Sequence, residues 1–295
     1  MILKKTPQMD IFDQSEFVTE ELDFIRKEGN RIGFVPTMGA LHQGHLSLIR
    51  RSKADADFTV VSIFVNPTQF NSQEDLINYP KNPEADAAFV QAAFADMLFS
   101  PEEKEIYPDA ASKSYIPQVD LGKMDQVMEG AHRPGHFKGV IQVVHRLFDI
   151  VKPDVAFFGE KDFQQLAIVR AMVKQLNLPV EIVACPTIRE RDGLAMSSRN
   201  ARLTTEQRAE AAVIFKALDD VRDRCHDMPL TSLKARAAQM IEASGHFKVD
   251  YVEIADADTL MPVQSMDDAG NIRCFVAATI GGIRLIDNVI LQALI

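Results

Sequence analysis

The chain has 295 residues, long enough for two domains with full cores, since domains usually hold roughly 100–200 residues. An apolar fraction of 46% and a charged fraction of 25% are ordinary for a globular protein, and no apolar run is long enough to cross a bilayer. With 32 Lys and Arg against 42 Asp and Glu the net charge is −10, which argues against broad nucleic-acid binding but not against small anionic substrates, which feel the local field of a cleft.

The opening segment, residues 1–10, lacks the apolar core of a secretion signal. Cys185, Cys225 and Cys274 are odd in number and far apart, with no C-x-x-C pair. They suit a reducing compartment and neither a disulfide frame nor a zinc site, so a cytoplasmic location is expected.

In chain order, Ile32–Val35 reads as a strand and residues 44–54 as a helix. Phe58–Val65 is an almost unbroken apolar strand, the mark of burial on both faces. Pro83–Phe94 has the pattern of a helix and Asp96–Phe99 that of a short strand. From Gly139 to Val151 the apolar residues fall at helical spacing. Asp154–Phe158 is a strand, Phe163–Leu176 a helix, and Val180–Ala184 another strand. This alternation predicts a parallel sheet covered by helices, a Rossmann-like α/β domain over 1–187. Beyond Pro186 the pattern changes. A long helix over Thr205–Cys225, opened by Thr204-Thr205, is followed by a second over Leu230–Ala243. Strand-like runs at Val249–Ala255, Ile272–Ile280 and Ile283–Ile286 follow, with Gly281-Gly282 as a tight hairpin turn. Residues 188–295 are therefore expected to form a smaller α+β domain.

The polar motifs follow strands, and ligands of open parallel sheets bind beyond the strands' carboxyl ends. After the first strand comes Met38-Gly39-Ala40-Leu41-His42-Gln43-Gly44-His45, running into a helix start. A glycine-bearing turn before a helix offers free N–H groups and a positive helix end to an anion. His42 and His45 add donors that strengthen as charge builds on phosphorus, and the plainer alternative makes them capping histidines. Asn66-Pro67-Thr68-Gln69 follows the next strand, and Gly159-Glu160-Lys161-Asp162 a later one. The last polar run extends from Ile188 to Asn200 and contains Met196-Ser197-Ser198-Arg199. Lys161 and Arg199 supply permanent cations, Ser197 and Ser198 hydroxyls for phosphate oxygens, and Gln69 and Gln165 neutral amides able to read hydroxyls and a carboxylate. Neither a P-loop nor a G-x-G-x-x-G fingerprint is present, and no H-E-x-x-H supports bound metal.

These motifs, together with Asn78-Tyr79-Pro80-Lys81, Arg133-Pro134-Gly135-His136-Phe137, the run 249–260 and the closing Arg284-Leu285-Ile286-Asp287-Asn288, resemble the pantothenate synthetase (pantoate–β-alanine ligase) family from end to end. The H-x-G-H element alone marks only the wider nucleotidyl transferase superfamily. The resemblance implies condensation of pantoate with β-alanine through a pantoyl-adenylate, with ATP and Mg²⁺ as co-substrates and AMP and pyrophosphate released.

It also implies that Met38 to His45, Gly159 to Asp162, Ile188 and Met196 to Arg199 line the ATP site, with His42, His45 and Lys161 as catalytic groups. Gln69, Gln165, Met38, Asn66 and Arg133 are implied as substrate contacts, and a homodimer as the assembly. For Arg133 and His136 a structural clamp and a ligand contact are both open. Phe58–Val65 and the helix from Gly139 are candidates for the dimer surface or for plain core. The competing readings are a transferase that leaves the nucleotide on its product, a non-catalytic binding protein, and a tRNA-binding synthetase. The net charge and the lack of a basic extension disfavour the last.

Overall fold

The computed structural model describes residues 9–293, so most of the opening segment lies outside the described residues. The chain divides into two compact units. The first holds the chain up to Asp120, Arg133–Gly159 and Ile168–Cys185, and the second holds Leu121–His132, Glu160–Ala167 and the chain from Pro186 onward.

The first unit carries a six-stranded, wholly parallel sheet. Its strands are β1 (Asp10–Phe12), β2 (Ile32–Thr37), β3 (Phe58–Ile63), β4 (Met97–Phe99), β5 (Val155–Gly159) and β6 (Glu181–Cys185), in the order β1-β4-β3-β2-β5-β6. Helices Ser15–Lys27, Gln43–Asp55, Pro83–Ala92, His136–Val151 and Phe163–Gln175 are threaded between the strands. Burial on both faces explains the unbroken apolar runs: Ile32, Phe34, Val35, Val60, Val61, Val155 and Phe157 are all fully buried. From β2 the chain builds outward to β4 on one side and then returns to place β5 on the other. The strand order thus reverses between β2 and β5, where open α/β sheets bind ligands. The polar segments after residue 37 and from residue 159 leave those two strand ends.

Phe58–Ile63 and most of helix His136–Val151 are core within this unit. That helix begins earlier than Gly139, just after Gly135, whose φ of 83° turns the chain into it. Strand β1 and helix Ser15–Lys27 were not anticipated from the pattern.

The second unit has an antiparallel sheet of β7 (Phe247–Asp256), β8 (Ile272–Ile280) and β9 (Ile283–Gln292). The Gly281-Gly282 turn has φ of 55° and 77°, the left-handed pair that a two-residue hairpin demands. One sheet face packs on helices Val213–Arg224 and Leu230–Glu242 through a core that includes Ile214, Leu218, Leu233, Ile241, Cys274 and Val276. The long helix expected over Thr205–Cys225 is instead two, Thr205–Ala211 and Val213–Arg224. Thr204 caps the first with a reciprocal Gln207 bond, as a capping box does.

Candidate active site

At the end of β2 the chain turns through Gly39 (φ 81°) and Ala40 (φ 50°) into helix Gln43–Asp55. Left-handed backbone at an alanine is unfavourable, so something must hold the turn. That group is Asp86, in the first turn of helix Pro83–Ala92 and 5% exposed. Its carboxylate accepts from the Ala40 N–H at 2.9 Å and the Leu41 N–H at 2.8 Å. A Cβ on Gly39 would stand 2.9 Å from the same carboxylate. The expectation that the free N–H groups of this loop face an anionic ligand is therefore corrected for Ala40 and Leu41. A protein carboxylate already holds them.

The histidines cap the helix, as the plainer alternative had it. His42 Nδ1 accepts from the Gly44 N–H at 3.1 Å, and His45 Nδ1 from the His42 N–H at 3.2 Å. The ring centroids lie 4.1 Å apart. An Nδ1 that accepts leaves the proton of the neutral ring on Nε2, so each imidazole is fixed as an Nε2–H donor. Capping and ligand contact are thus compatible: one nitrogen serves the helix and the other carries the proton. Gln43 and Gly44 form the first turn, at the positive helix end.

After β3, Asn66 caps the short 3₁₀ turn Pro67–Gln69. Asn66 is 1% exposed. Its amide donates to the Gly139 carbonyl at 3.2 Å, and its oxygen accepts from the Tyr107 hydroxyl at 3.0 Å. Burial raises the Tyr107 phenol to about 12, which keeps it a donor. These bonds give Asn66 a framework role beneath Gln69. Gln69 itself is buried and donates through Nε2 to the Met38 sulfur at 2.7 Å, joining the ends of β2 and β3.

Behind Gln69 stands a brace. His136 Nδ1 lies 2.7 Å from the Gln69 carbonyl, and Arg133 Nη1 lies 3.1 Å from His136 Nε2. Arginine only donates, so His136 accepts at Nε2 and donates from Nδ1. These bonds are those of a structural clamp on the Gln69 main chain. Helix His136–Val151 can approach this turn because residue 139 is glycine: a Cβ there would lie 2.5 Å from the Thr68 carbonyl oxygen.

In the second unit, Glu160, Lys161 and Asp162 form a 3₁₀ turn, with the Lys161 ammonium 3.7 Å from the Asp162 carboxylate. Residues 188–196 make a small hairpin, with the Met196 N–H on the Ile188 carbonyl and Gly193 at its tip. Ser197 then caps the 3₁₀ turn Ser198–Arg202. Lys161, Ser197 and Arg199 line one recess, together with Arg284 and Asp287. Gln165 is half-buried beside Gln164, which is buried and holds the segment before it through the Met124 and Val127 carbonyls. Residues that the sequence reading left without a role line or support this recess. Asp287, 4% exposed, takes both Arg189 Nη groups at 2.5 and 3.0 Å, and burial pushes its carboxyl upward while Arg189 pulls it back. Buried Glu129 accepts from the Tyr251 hydroxyl and from Arg284. Burial and that carboxylate hold the Tyr251 phenol well above its usual range.

Comparison with known proteins agrees with this picture. The pantoate-beta-alanine ligase family model matches residues 10–290. A pantothenate synthetase from Porphyromonas gingivalis is 47% identical over 281 residues, which span 95% of this chain and 99% of that protein. Another, from Cytophaga hutchinsonii, is 45% identical over 268 residues, 90% of this chain and 93% of its own. Among solved structures, pantothenate synthetase from Thermus thermophilus has a TM-score of 0.89 at 41% identity, covering 96% of this chain and 100% of that one. The Francisella tularensis pantoate-beta-alanine ligase, complexed with beta-gamma ATP and beta-alanine, has a TM-score of 0.80 at 36% identity and covers 96% and 98%. The family model and the comparisons in sequence and fold agree: the chain belongs to the pantoate-beta-alanine ligase family.

Proposed function

We propose that the chain condenses pantoate with β-alanine to pantothenate at the expense of ATP, by way of a pantoyl-adenylate. A pantoate carboxylate oxygen attacks the α-phosphorus of ATP·Mg²⁺ and pyrophosphate leaves. The β-alanine amine then attacks the acyl carbon, the acyl–oxygen bond breaks, and AMP leaves. Adenylation supplies the leaving group that a bare carboxylate lacks, and a dry site protects the mixed anhydride from water.

The observation that carries the reading is the joining of Gln69 to Met38 at 2.7 Å, beside the turn that fixes His42 and His45 as Nε2–H donors. An amide able to read a hydroxy acid is thereby held next to donors suited to a nucleotide. On this reading His45 and His42 steady the charge developing on phosphorus, and Lys161 neutralises the phosphates. Residues 38–45 and 159–162, with Ile188 along the adenine and Met196 to Arg199 on the phosphates, form the ATP site. Gln69, Met38 and Gln165 hold pantoate, with Asn66, Arg133 and His136 acting through Gln69.

Residues 1–187 are assigned the catalytic role and 188–295 that of a lid. The magnesium ion rides on the phosphates as part of the substrate. β-Alanine, whose ammonium has a pKa on the order of 10 by analogy with lysine, enters as the free amine without a dedicated base. A cytoplasmic homodimer completes the reading; the three cysteines, buried and not in disulfides, suit that compartment.

The test is exchange of labelled pyrophosphate into ATP with pantoate present and β-alanine absent. Exchange should require pantoate and be lost in His45→Ala and Lys161→Ala. Folded protein that binds ATP without exchanging would end the adenylate mechanism.

A further inference from the structure

Strand β9 carries two adjacent buried polar residues, Asp287 and Asn288, at 4% and 3% exposure. A buried, ion-paired carboxylate is expensive in a small unit and calls for a purpose. Each of the two residues reaches a different polar segment. Asn288 donates both hydrogens of its amide to main chain, to the Glu160 carbonyl at 2.9 Å and the Lys161 carbonyl at 3.0 Å. Its oxygen is held by Arg273 Nη1 at 2.7 Å, so the amide cannot flip. Arg273 in turn bonds the Glu160 carboxylate at 2.9 Å and lies over the Phe163 ring, 4.0 Å from its centroid.

Asp287 receives Arg189 through both oxygens, and Arg189 also donates to the Gly193 carbonyl at 3.0 Å and the Asn288 carbonyl at 3.2 Å. Arg189 therefore pins the hairpin that leads to Ser197 to the same point of β9. Its other face is covered by the Phe215 ring at 4.2 Å.

We propose that Asp287 and Asn288 are positioning residues of the nucleotide site, fastening the Glu160–Asp162 turn and the hairpin from Ile188 to a single point of β9 so that Lys161 and the Ser197–Arg199 turn act as one anion cradle. The geometry has no slack: every polar atom of the Asn288 side chain is engaged, two of its bonds fix the carbonyl groups on either side of the Lys161 Cα, and Lys161 and Asp287 line one recess. A cradle built this way is set before the ligand arrives, so little ordering remains to be done on binding.

The inference rests on the ATP-site reading above, and its test separates the two. Affinity for a non-hydrolysable ATP analogue is measured by calorimetry on the full-length protein, for Asn288→Leu, Lys161→Ala, the double variant and the unaltered chain. Leucine keeps the volume and adds no charge, but it cannot donate. Loss of the two bonds that seat the Lys161 peptide units, and of the one that Arg273 donates to the Asn288 oxygen, predicts an at least roughly 10- to 30-fold weaker affinity for Asn288→Leu alone. On the Lys161→Ala background the same substitution should change affinity by less than about threefold, because the effect passes through Lys161. Asn288→Ser, which shortens the side chain, serves as a gentler variant if leucine unsettles the unit. Equal losses on both backgrounds, or no loss with either substitution, would overturn the positioning role. An unaltered chain that binds no ATP analogue would overturn the ATP-site reading itself and this inference with it.

Discussion

Gly139→Ala isolates the seat of Gln69 from every group that could touch a ligand. The added methyl would sit 2.5 Å from the Thr68 carbonyl oxygen and 2.7 Å from Gln69 Cα, where ordinary contact begins near 3.4 Å. Both obstacles are backbone, so no side chain can swing away, and the turn must move by about 0.9 Å. Two terms compete in stability. Alanine gains about 1 kcal/mol over glycine in a helix interior, whereas overpacking costs about 1–3 kcal/mol. The net is a destabilisation of about 0–2 kcal/mol, too small to unfold the unit. Function responds more sharply, because Gln69 moves with its Cα and the Asn66 bond to the Gly139 carbonyl stretches from 3.2 Å. A misplacement of about 1 Å can cost on the order of 100-fold in rate. We expect kcat/KM for pantoate in pyrophosphate exchange to fall about 100-fold while ATP affinity stays within about threefold. Lys138→Ala, at an exposed site on the same helix, is the control for helix propensity and should change neither. A Gly139→Ala protein with normal pantoate kinetics would refute the claim that this close approach seats the substrate amide.

Asp86→Ala should weaken ATP binding roughly 10-fold, since two hydrogen bonds to a charged acceptor hold the left-handed turn at Gly39 and Ala40. Tighter binding by calorimetry would instead mean that the released N–H groups of Ala40 and Leu41 serve the nucleotide. Asp220 ties helix Val213–Arg224 to Leu230–Glu242 through Arg236 and also holds Arg224; its hydrogen bond to Arg236 is the main cause that lowers its carboxyl from 3.8 to about 2. A depressed carboxylate stabilises above its unfolded pKa and loses that contribution as pH falls toward its folded one. Asp220→Asn should therefore be destabilised by about 1 kcal/mol or less at about pH 6, given solvent screening, and the gap to the unaltered chain in urea should shrink by about pH 3. An unchanged gap at the two pH values would count against the pair.

The alternation of apolar runs made the parallel sheet legible, because burial on both faces leaves strands such as Val155–Gly159 nothing polar to show. Helix Ser15–Lys27 carries the stripe Val18 and Leu22, but exposed Phe17 and Phe24 blur it, and the three-residue strand before it is too short to have a period. The break at Ala212 has neither glycine nor proline to announce it. In the site, the strand-end residues were legible by position. Their supports were not, because a hydrogen-bonding partner leaves no mark in local pattern: Asp86 stands 45 residues from Leu41, and Asn288 stands 128 from Glu160. Asn66 and Arg133, singled out as substrate contacts, both bond the protein around Gln69. Both stand behind Gln69, and a polar residue after a strand looks the same in sequence whether it supports a ligand contact or makes one.

A buried carboxylate behind a loop proposed to receive a polyphosphate looks self-defeating on charge alone. Its position resolves the difficulty. Asp86 sits in the first turn of its helix, where the N–H groups and the helix dipole offset its charge, and it is almost wholly covered. It removes two N–H groups from the pool available to a ligand, and in exchange the turn is rigid. On the proposed reading, anion recognition then falls to groups that project from the frame: the Nε2–H of His42 and His45, Lys161 and Arg199. A backbone cradle would bind the ground-state phosphates and the transition state alike, which lowers KM without raising kcat. Imidazole donors held by their other nitrogen can be aimed at the oxygens on which charge develops, so their contribution grows along the reaction. On the proposed function the capping bonds at Nδ1 serve catalysis, because without them the ring could turn or take the other tautomer, and the donor would be lost where the charge forms.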